Sequence, residues 1–490
     1  MLRATQVYVD ARSLERFASH MPEPQWRTFQ SVVEAARQSM EGRTFWNVSS
    51  TARGGGVAEM LPSLIGYGRG AGVDVRWMVI EGTPEFFHLT KRLHHALHGS
   101  AGDGSPLGRE QHALYRRVLE DNEDELSAVV RPGDVVILHD PQTAGLAPAM
   151  LALGARVAWR SHIGCDLHNE DVASGWLFLR PYLLQVPMTV FTRQSYVPEF
   201  LKERSTIIRP SIDVFAVKNQ EMSPEAARAI LAHAGLLERL PDDPIPTFVR
   251  HDGVTARVDR LADIVRLGHA PAADVPLVVQ VSRWDPLKDP LGVMHGFAHL
   301  VREAPALRAH LVLAGPAVTS VADDPEARGV FEGVMAAWHA LPHAVRARVH
   351  LACLPMTDVE ENAAMVNALQ RHAAVVVQKS LEEGFGLTVT EAMWKGRPVV
   401  ASAVGGIRDQ ITDGEHGLLV EDPHDLEAFA AVLRRPLEDP VLAERLGRAA
   451  KQRVLEEFTG VRHLTNYAGV IARLDALAQL AAGASAAAAH

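Results

Sequence analysis

Two glutamates eight residues apart bracket a glycine turn: Glu383, then Gly384-Phe385-Gly386, then Leu387, Thr388 and Glu391. The apolar run Ala374–Gln378 precedes them and the stretch Leu387–Trp394 follows, so the expected order is strand, turn, helix. Glu383 then falls on the loop at a strand's carboxyl end, and Glu391 a turn into the helix. A Gly-x-Gly turn at a helix start offers backbone N–H groups and a partial positive charge, which suits a phosphate. Ionised carboxylates only accept hydrogen bonds, which suits polyols. One glutamate can take sugar hydroxyls on one side of that phosphate, the other a ribose on the other side.

A second set sits in VVQVSRWDPLKDP, where strand candidate Leu277–Val281 ends in Ser282 and is followed by Arg283 and Lys288. Two cations at the carboxyl end of a parallel strand are placed to neutralise a departing diphosphate, Arg as a fork and Lys as a point charge. A third is the run Gly54-Gly55-Gly56 after strand candidate Phe45–Ser49, with Arg53 beside it and a helix expected near Val57. It lacks strict Gly-x-Gly-x-x-Gly spacing, because position 59 is Glu. Two more strand ends carry His139, Asp140 and Gln142, and Arg160, His162 and Asp166. These can hold an acceptor sugar or line the donor pocket. The cluster His94, His95 and His98 has no evident third metal ligand and reads as a surface helix. Asp242-Asp243 and Asp323-Asp324 read as solvated pairs. Asp-x-Asp occurs nowhere, so the usual metal–diphosphate clamp is absent and no metal ligands are expected.

The elements that must position these residues alternate along the chain. Strands are expected at Phe45–Ser49, Val75–Ile80, Val135–Leu138, Val157–Arg160, Thr189–Phe191 and Thr206–Ile208, with helical stretches between. The pattern restarts with Leu277–Val281, Leu311–Ala314, Val349–Cys353, Ala374–Gln378 and Pro398–Ser402, with helices at Pro290–Arg302, Thr357–Gln370 and Leu387–Trp394. The stretch from Ile212 to about Ala273 reads as linker and elaboration, carrying a helix at Pro224–Leu237. Helices at Asp425–Arg434, Pro440–Glu457 and Val461–Leu480 close the chain. The expectation is an α/β protein of two doubly wound, Rossmann-like domains, residues 1–212 and 213–460, facing across a deep cleft. The C-terminal helix, about 461–482, is expected to pack back on the first domain.

The bulk numbers narrow the class. Of 490 residues, 47% are hydrophobic and 22% charged, enough for large cores. A net charge of −10 argues against nucleic acid and anionic membranes as partners. Two cysteines exclude a disulfide framework and fit a reducing cytoplasm. No apolar run approaches a membrane span, and MLRATQVYVDARSLERF lacks a signal-peptide core.

The string LEEGFGLTVTEAMWKGRPVVAS, with Gly405-Gly406 beyond it, resembles the retaining GT-B glycosyltransferases of the glycogen-synthase and sucrose-synthase type. Together with WNVSSTARGGGVAEMLPSL, HDPQTAGL, WRSHIGCDLHN, PSIDVF and VSRWDPLKDP, it is similar to the trehalose glycosyltransferring synthases, over about Trp46 to Phe458. The resemblance implies a hexosyltransferase that makes α,α-trehalose reversibly from nucleoside-diphosphate glucose and glucose, with no cofactor and no metal in the chemistry. It implies that Arg283 and Lys288 bind the diphosphate, Glu383 the donor sugar and Glu391 the ribose. Gly54–Gly56 and the Gly384–Thr388 turn would lie by the donor phosphates, and His162 beside the reacting sugar. Asp140, Gln142 and Arg160 are assigned to the acceptor. Nucleotide-sugar and glucose or trehalose are the expected partners, and a homodimer the expected assembly. Alternatives are a retaining trehalose phosphorylase, transfer to another small acceptor and, from the glycine run alone, a dinucleotide-dependent oxidoreductase with Glu81 on the ribose.

Overall fold

The computed structural model describes residues 3–52, 55–318 and 325–488. The chain divides into two compact units, Met1–Ser211 with Thr459–His490, and Ile212–Phe458.

The first unit carries seven strands: β1 (Thr5–Val7), β2 (Thr44–Ser49), β3 (Asp74–Val79), β4 (Val135–His139), β5 (Arg156–Ser161), β6 (Met188–Phe191) and β7 (Ser205–Ile207). They form one sheet in the order β1-β3-β2-β4-β5-β6-β7. All pairings are parallel except β1 on β3. β4 is buried throughout, as a strand covered on both faces must be. Alternate residues of β5 serve opposite layers. Val157 and Trp159 pack with Phe178, Leu179 and Phe191. Ala158 faces the other way, with Tyr467, Val470 and Ile471 of the C-terminal helix Gly460–Ala488. That helix is pinned by Arg43, whose guanidinium meets Asp475 at 2.9 Å.

The second unit adds β8 (Thr247–Val249) and β9 (Thr255–Arg257), a small antiparallel hairpin. Its main sheet comprises β10 (Asp263–Val265), β11 (Leu277–Val281), β12 (His310–Pro316), β13 (Val349–Leu354), β14 (Val375–Gln378), β15 (Val399–Ser402) and β16 (Leu418–Val420). The order is β10-β13-β12-β11-β14-β15-β16, with β10 antiparallel on β13. Setting aside the antiparallel edge strands, the second sheet has the Rossmann order and the first the related flavodoxin-like order, and in both the winding reverses beside the first parallel strand. The reversal falls between β2 and β4 in one unit and between β11 and β14 in the other. Ligands of such sheets bind outside the carboxyl ends of the strands at this reversal. The expected strands are all present, within a residue or two at their ends. β1, β10, β16 and the hairpin were not expected.

Candidate functional site

In the second unit the loops after β11 and β14 meet. The loop after β11 makes a tight turn, Pro286–Lys288, capped by Asp285, which accepts from Leu287 N–H. Gln280, at the end of β11, donates to the Lys288 carbonyl at 2.9 Å, and Leu381 N–H donates to the Leu287 carbonyl at 2.8 Å. These bonds bring Lys288 to Glu383, with Nζ 2.5 Å from Oε2. Both side chains are mostly buried. Ser380 Oγ donates to the same carboxylate oxygen at 3.2 Å. Lys379, one step before, is fully buried on Asp289, the residue that caps the following helix, Pro290–Glu303. Arg283 is exposed and pairs with Asp285 at 3.2 Å.

The helix Leu387–Trp394 starts here. Its cap residue, Gly386, has φ +88°, a conformation that favours glycine, and no side chain caps the helix. Its first N–H groups therefore face outward without a side-chain acceptor. Gly406 lets the loop after β15 close on this turn, because a Cβ there would lie 2.5 Å from Phe385 Cα. Gln410 fixes the same turn by donating to the Phe385 carbonyl at 2.5 Å, and accepts from Thr390 Oγ1 at 2.6 Å. The Phe385 ring is buried against Phe458, so this residue can offer a ligand its backbone only. Thr388 Oγ1 donates to Gln378 at 3.1 Å.

Glu391 is buried within the unit, with Oε1 3.1 Å from Lys218 Nζ. Among the described residues its Oε2 has no hydrogen-bond partner. Below it, the buried Lys395 ammonium touches Asn219 Oδ1, Gln370 Oε1 and the Glu391 carbonyl. Burial pushes the Lys395 pKa down to about 7, against the pull of Glu391. Lys218 and Lys395 were not singled out from the sequence. Lys395 lies one helical turn after Glu391, a spacing that brings the two residues onto one face.

In the first unit a buried polar chain lies at the carboxyl end of β4. His139 Nε2 meets Asn47 Oδ1 at 3.0 Å, and its Nδ1 meets His162 Nε2 at 2.9 Å. Asp140 follows with φ +63°, a left-handed backbone rare outside glycine and a form of strain that clusters at functional sites. That bend turns its carboxylate back to accept from His162 N–H at 2.7 Å. Burial raises the Asp140 pKa to about 7, opposed by His162 N–H and by Arg160. Burial lowers the His139 pKa to about 3 and holds His162 well below the ordinary histidine range, with Arg160 adding to both effects. Gln142 has a buried Oε1 with no partner among the described residues. Asn47 was missed in the sequence. The available signal was a polar residue inside the apolar strand TFWNVS.

One residue assigned to the acceptor is held deep within the fold. Arg160 is fully buried and donates to His463 Nε2 at 2.8 Å, the Tyr467 hydroxyl at 2.5 Å and the Ile208 carbonyl. It shares the face of Ala158, which the C-terminal helix covers, so it anchors that helix, while its buried Nε has no hydrogen-bond partner among the described residues. Asp166 pairs with Arg193 at 2.8 Å. Gly55 and Gly56 open the helix Gly55–Gly70, whereas Gly54, Arg53 and Asp323-Asp324 lie outside the described residues. Among the described residues, no group of histidine, cysteine and acidic side chains could hold a metal ion. No helix among them is long and apolar enough to cross a membrane.

Comparison with known proteins agrees with this layout. Residues 47–198 match the model of the trehalose synthase N-terminal domain, and residues 266–453 that of glycosyl transferases group 1. The trehalose synthase of Pyrococcus horikoshii is 34% identical over 444 residues, covering 90% of this chain and 92% of its own. A trehalose phosphorylase of Pleurotus pulmonarius is 26% identical, over 92% of this chain and 60% of its own. Among solved structures, a UDP-forming α,α-trehalose-phosphate synthase from Burkholderia xenovorans superposes with a TM-score of 0.63 at 16% identity, over 89% of this chain and all of that one. The chain therefore belongs to the trehalose synthase family, glycosyltransferases of trehalose chemistry built on the paired Rossmann-like domains of the GT-B fold.

Proposed function

We propose that this protein transfers glucose from a nucleoside-diphosphate glucose to free glucose, reversibly and with retention of configuration, to give α,α-trehalose. The observation that carries the proposal is the Lys288–Glu383 pair beside the uncapped start of the helix Leu387–Trp394. A fixed ammonium and a helix N-terminus, side by side at a winding reversal, suit a diphosphate that gains charge as it leaves. Arg283 adds a second, mobile cation. Glu383 is assigned to the donor sugar and Glu391, held by Lys218, to the ribose. Gly55 and Gly56, Gly384, Gly386, Leu387 and Thr388 are assigned to the donor phosphates, and His162 to the reacting sugar. Asp140 and Gln142 are assigned to the acceptor.

Retention can follow two routes, and the geometry favours one. A covalent route needs a glutamate free to attack the anomeric carbon. Glu383 Oε2 instead accepts from both Lys288 and Ser380, which lowers the nucleophilicity of the carboxylate as a whole. A same-face route needs no protein nucleophile. The C1–O bond to the diphosphate breaks through an oxocarbenium-like state. The acceptor hydroxyl then bonds to C1 on the face just vacated, and its proton passes to the departing phosphate oxygen. No metal ion is required for these steps, because the cations above take its electrostatic part. The low cysteine content, two in the chain, and the charge balance support a cytoplasmic setting, and a homodimer is the proposed assembly.

The test is product analysis. ADP-, UDP- and GDP-glucose are each incubated with glucose in excess EDTA, and the disaccharide is identified by proton NMR. α,α-Trehalose from at least one donor is expected. A disaccharide with an inverted linkage, or activity that disappears with chelation and returns with Mg²⁺, would overturn the reading.

A further inference from the structure

The chain Asn47–His139–His162 carries an inference about proton placement. All three side chains belong to the first unit, on β2, at the end of β4 and just past β5. Asn47 and His139 are almost wholly buried, at 4% and 1% exposure, whereas His162 is half-buried. His139 uses both ring nitrogens, Nε2 toward Asn47 Oδ1 and Nδ1 toward His162 Nε2. The two imidazoles are nearly coplanar, at 20°, with centroids 5.2 Å apart.

A neutral imidazole has one donor and one acceptor nitrogen. Asn47 Oδ1 can only accept, so the His139 proton resides on Nε2. His139 Nδ1 is then a bare lone pair, and the nitrogen facing it must bring the proton. That nitrogen is His162 Nε2. His162 keeps its own position through Asp140, which accepts from its backbone N–H. The remaining atom, His162 Nδ1, is left as a lone pair at the half-buried end of the chain.

We propose that Asn47 and His139 are positioning residues that lock His162 in its Nε2–H tautomer, so that Nδ1 presents a hydrogen-bond acceptor to a sugar hydroxyl. Burial keeps both rings neutral at working pH, which the chain requires. The nearby positive group, Arg160, adds to this by disfavouring either imidazolium. The encounter with a sugar rests on the proposed reaction, but the tautomer does not.

The experiment is 15N NMR of protein labelled at histidine, with His162 assigned by His162→Gln, alongside steady-state kinetics. Asn47→Leu keeps the volume and removes the acceptor. Asn47→Asp keeps an acceptor and has no donor, so it should rescue at about pH 9, above the ordinary histidine range. The wild type and Asn47→Asp are expected to carry the His162 proton on Nε2, with similar kcat/KM. Asn47→Leu is expected to show mixed tautomers and about a tenfold lower kcat/KM, near the worth of one hydrogen bond. A wild-type proton on His162 Nδ1 overturns the proposal. So does a single unchanged tautomer in Asn47→Leu, or a loss in Asn47→Asp as large as in Asn47→Leu. The NMR result stands apart from catalysis, so an inactive donor–acceptor pair would count against the reaction and leave the tautomer decided on its own.

Discussion

Replacing Lys288 with alanine separates the two things its ammonium does. In the resting protein Nζ is 2.5 Å from Glu383 Oε2, with side chains 19% and 10% exposed. Breaking a fully buried pair costs about 3–5 kcal/mol, and partial exposure brings this to about 2 kcal/mol. In the reaction the same charge faces a growing negative charge on the diphosphate. At a separation of about 4 Å and an effective dielectric of about 20, that attraction is worth about 4 kcal/mol. Realised mainly in the transition state, it corresponds to roughly a thousandfold in rate. Single-turnover quench-flow with nucleoside-diphosphate glucose and saturating glucose measures the chemical step, and calorimetry measures donor affinity. Lys288→Ala should slow the step about a thousandfold while weakening donor binding less than tenfold. Lys288→Arg should fall between. Equal losses in rate and affinity, or a rate within tenfold of the wild type, would refute the reasoning, because the cation would then stabilise bound donor and transition state alike.

Asp140 should govern the acid limb of the pH profile. Its pKa is raised to about 7, so the accepting carboxylate forms only as pH passes that value, and kcat/KM for glucose should rise through it. Asp140→Asn should flatten this limb in a pH series, and a limb that persists would clear Asp140 of the role. Acid should weaken the fold in the same region. The His139 pKa falls from its ordinary value to about 3 on folding, so the unfolded chain binds the extra proton between those two values. Stability is therefore unaffected above the ordinary histidine range and is lost as pH falls through it. The loss is about 2 kcal/mol for this residue by pH ~5; Asp140, whose pKa rises on folding, contributes with the opposite sign, so the urea midpoint is read in Asp140→Asn, where it should be lower at pH ~5. An unchanged midpoint at pH ~5 would contradict it. Arg160→Met should cost about 3 kcal/mol through the bonds to His463 and Tyr467, yet leave donor affinity unchanged. Chemical denaturation with calorimetry checks both, and a stable variant that has lost glucose binding would return Arg160 to the acceptor.

How far the sequence carries depends on what kind of physical signal each feature leaves. Leu277–Val281, Leu387–Trp394 and Pro440–Glu457 are legible to the residue, because an apolar run or a helical stripe is bounded by turn residues. β1, β10 and the hairpin β8–β9 have three residues per strand and partly exposed faces, so neither period nor composition marks them. Their conformation comes from docking, β1 on β3 and β10 on β13. Arg283, Lys288, Glu383 and Glu391 were singled out by residue type and by their place near a strand's end. That Lys288 would touch Glu383, 95 residues away, is a product of the winding and leaves no local trace. The surroundings of Arg160 were hidden for a related reason. Its place at a strand's end resembles a ligand-binding position, but alternation along β5 puts it with Ala158, under the C-terminal helix. The alternation was legible, whereas the helix that covers that face was known only in outline. Asn47 and Lys395 are each a polar residue in an apolar stretch, the local mark of a buried polar network.

The central claim is that the second unit is built to neutralise a nucleoside diphosphate rather than inorganic phosphate. Trehalose cleavage tests it most directly, with purified protein given α,α-trehalose and either ADP or UDP, or inorganic phosphate, and the sugar products separated by ion chromatography. The account predicts glucose and a nucleoside-diphosphate glucose in the first case and no cleavage in the second. Release of glucose 1-phosphate from the phosphate reaction, with no turnover on either nucleotide, would contradict it.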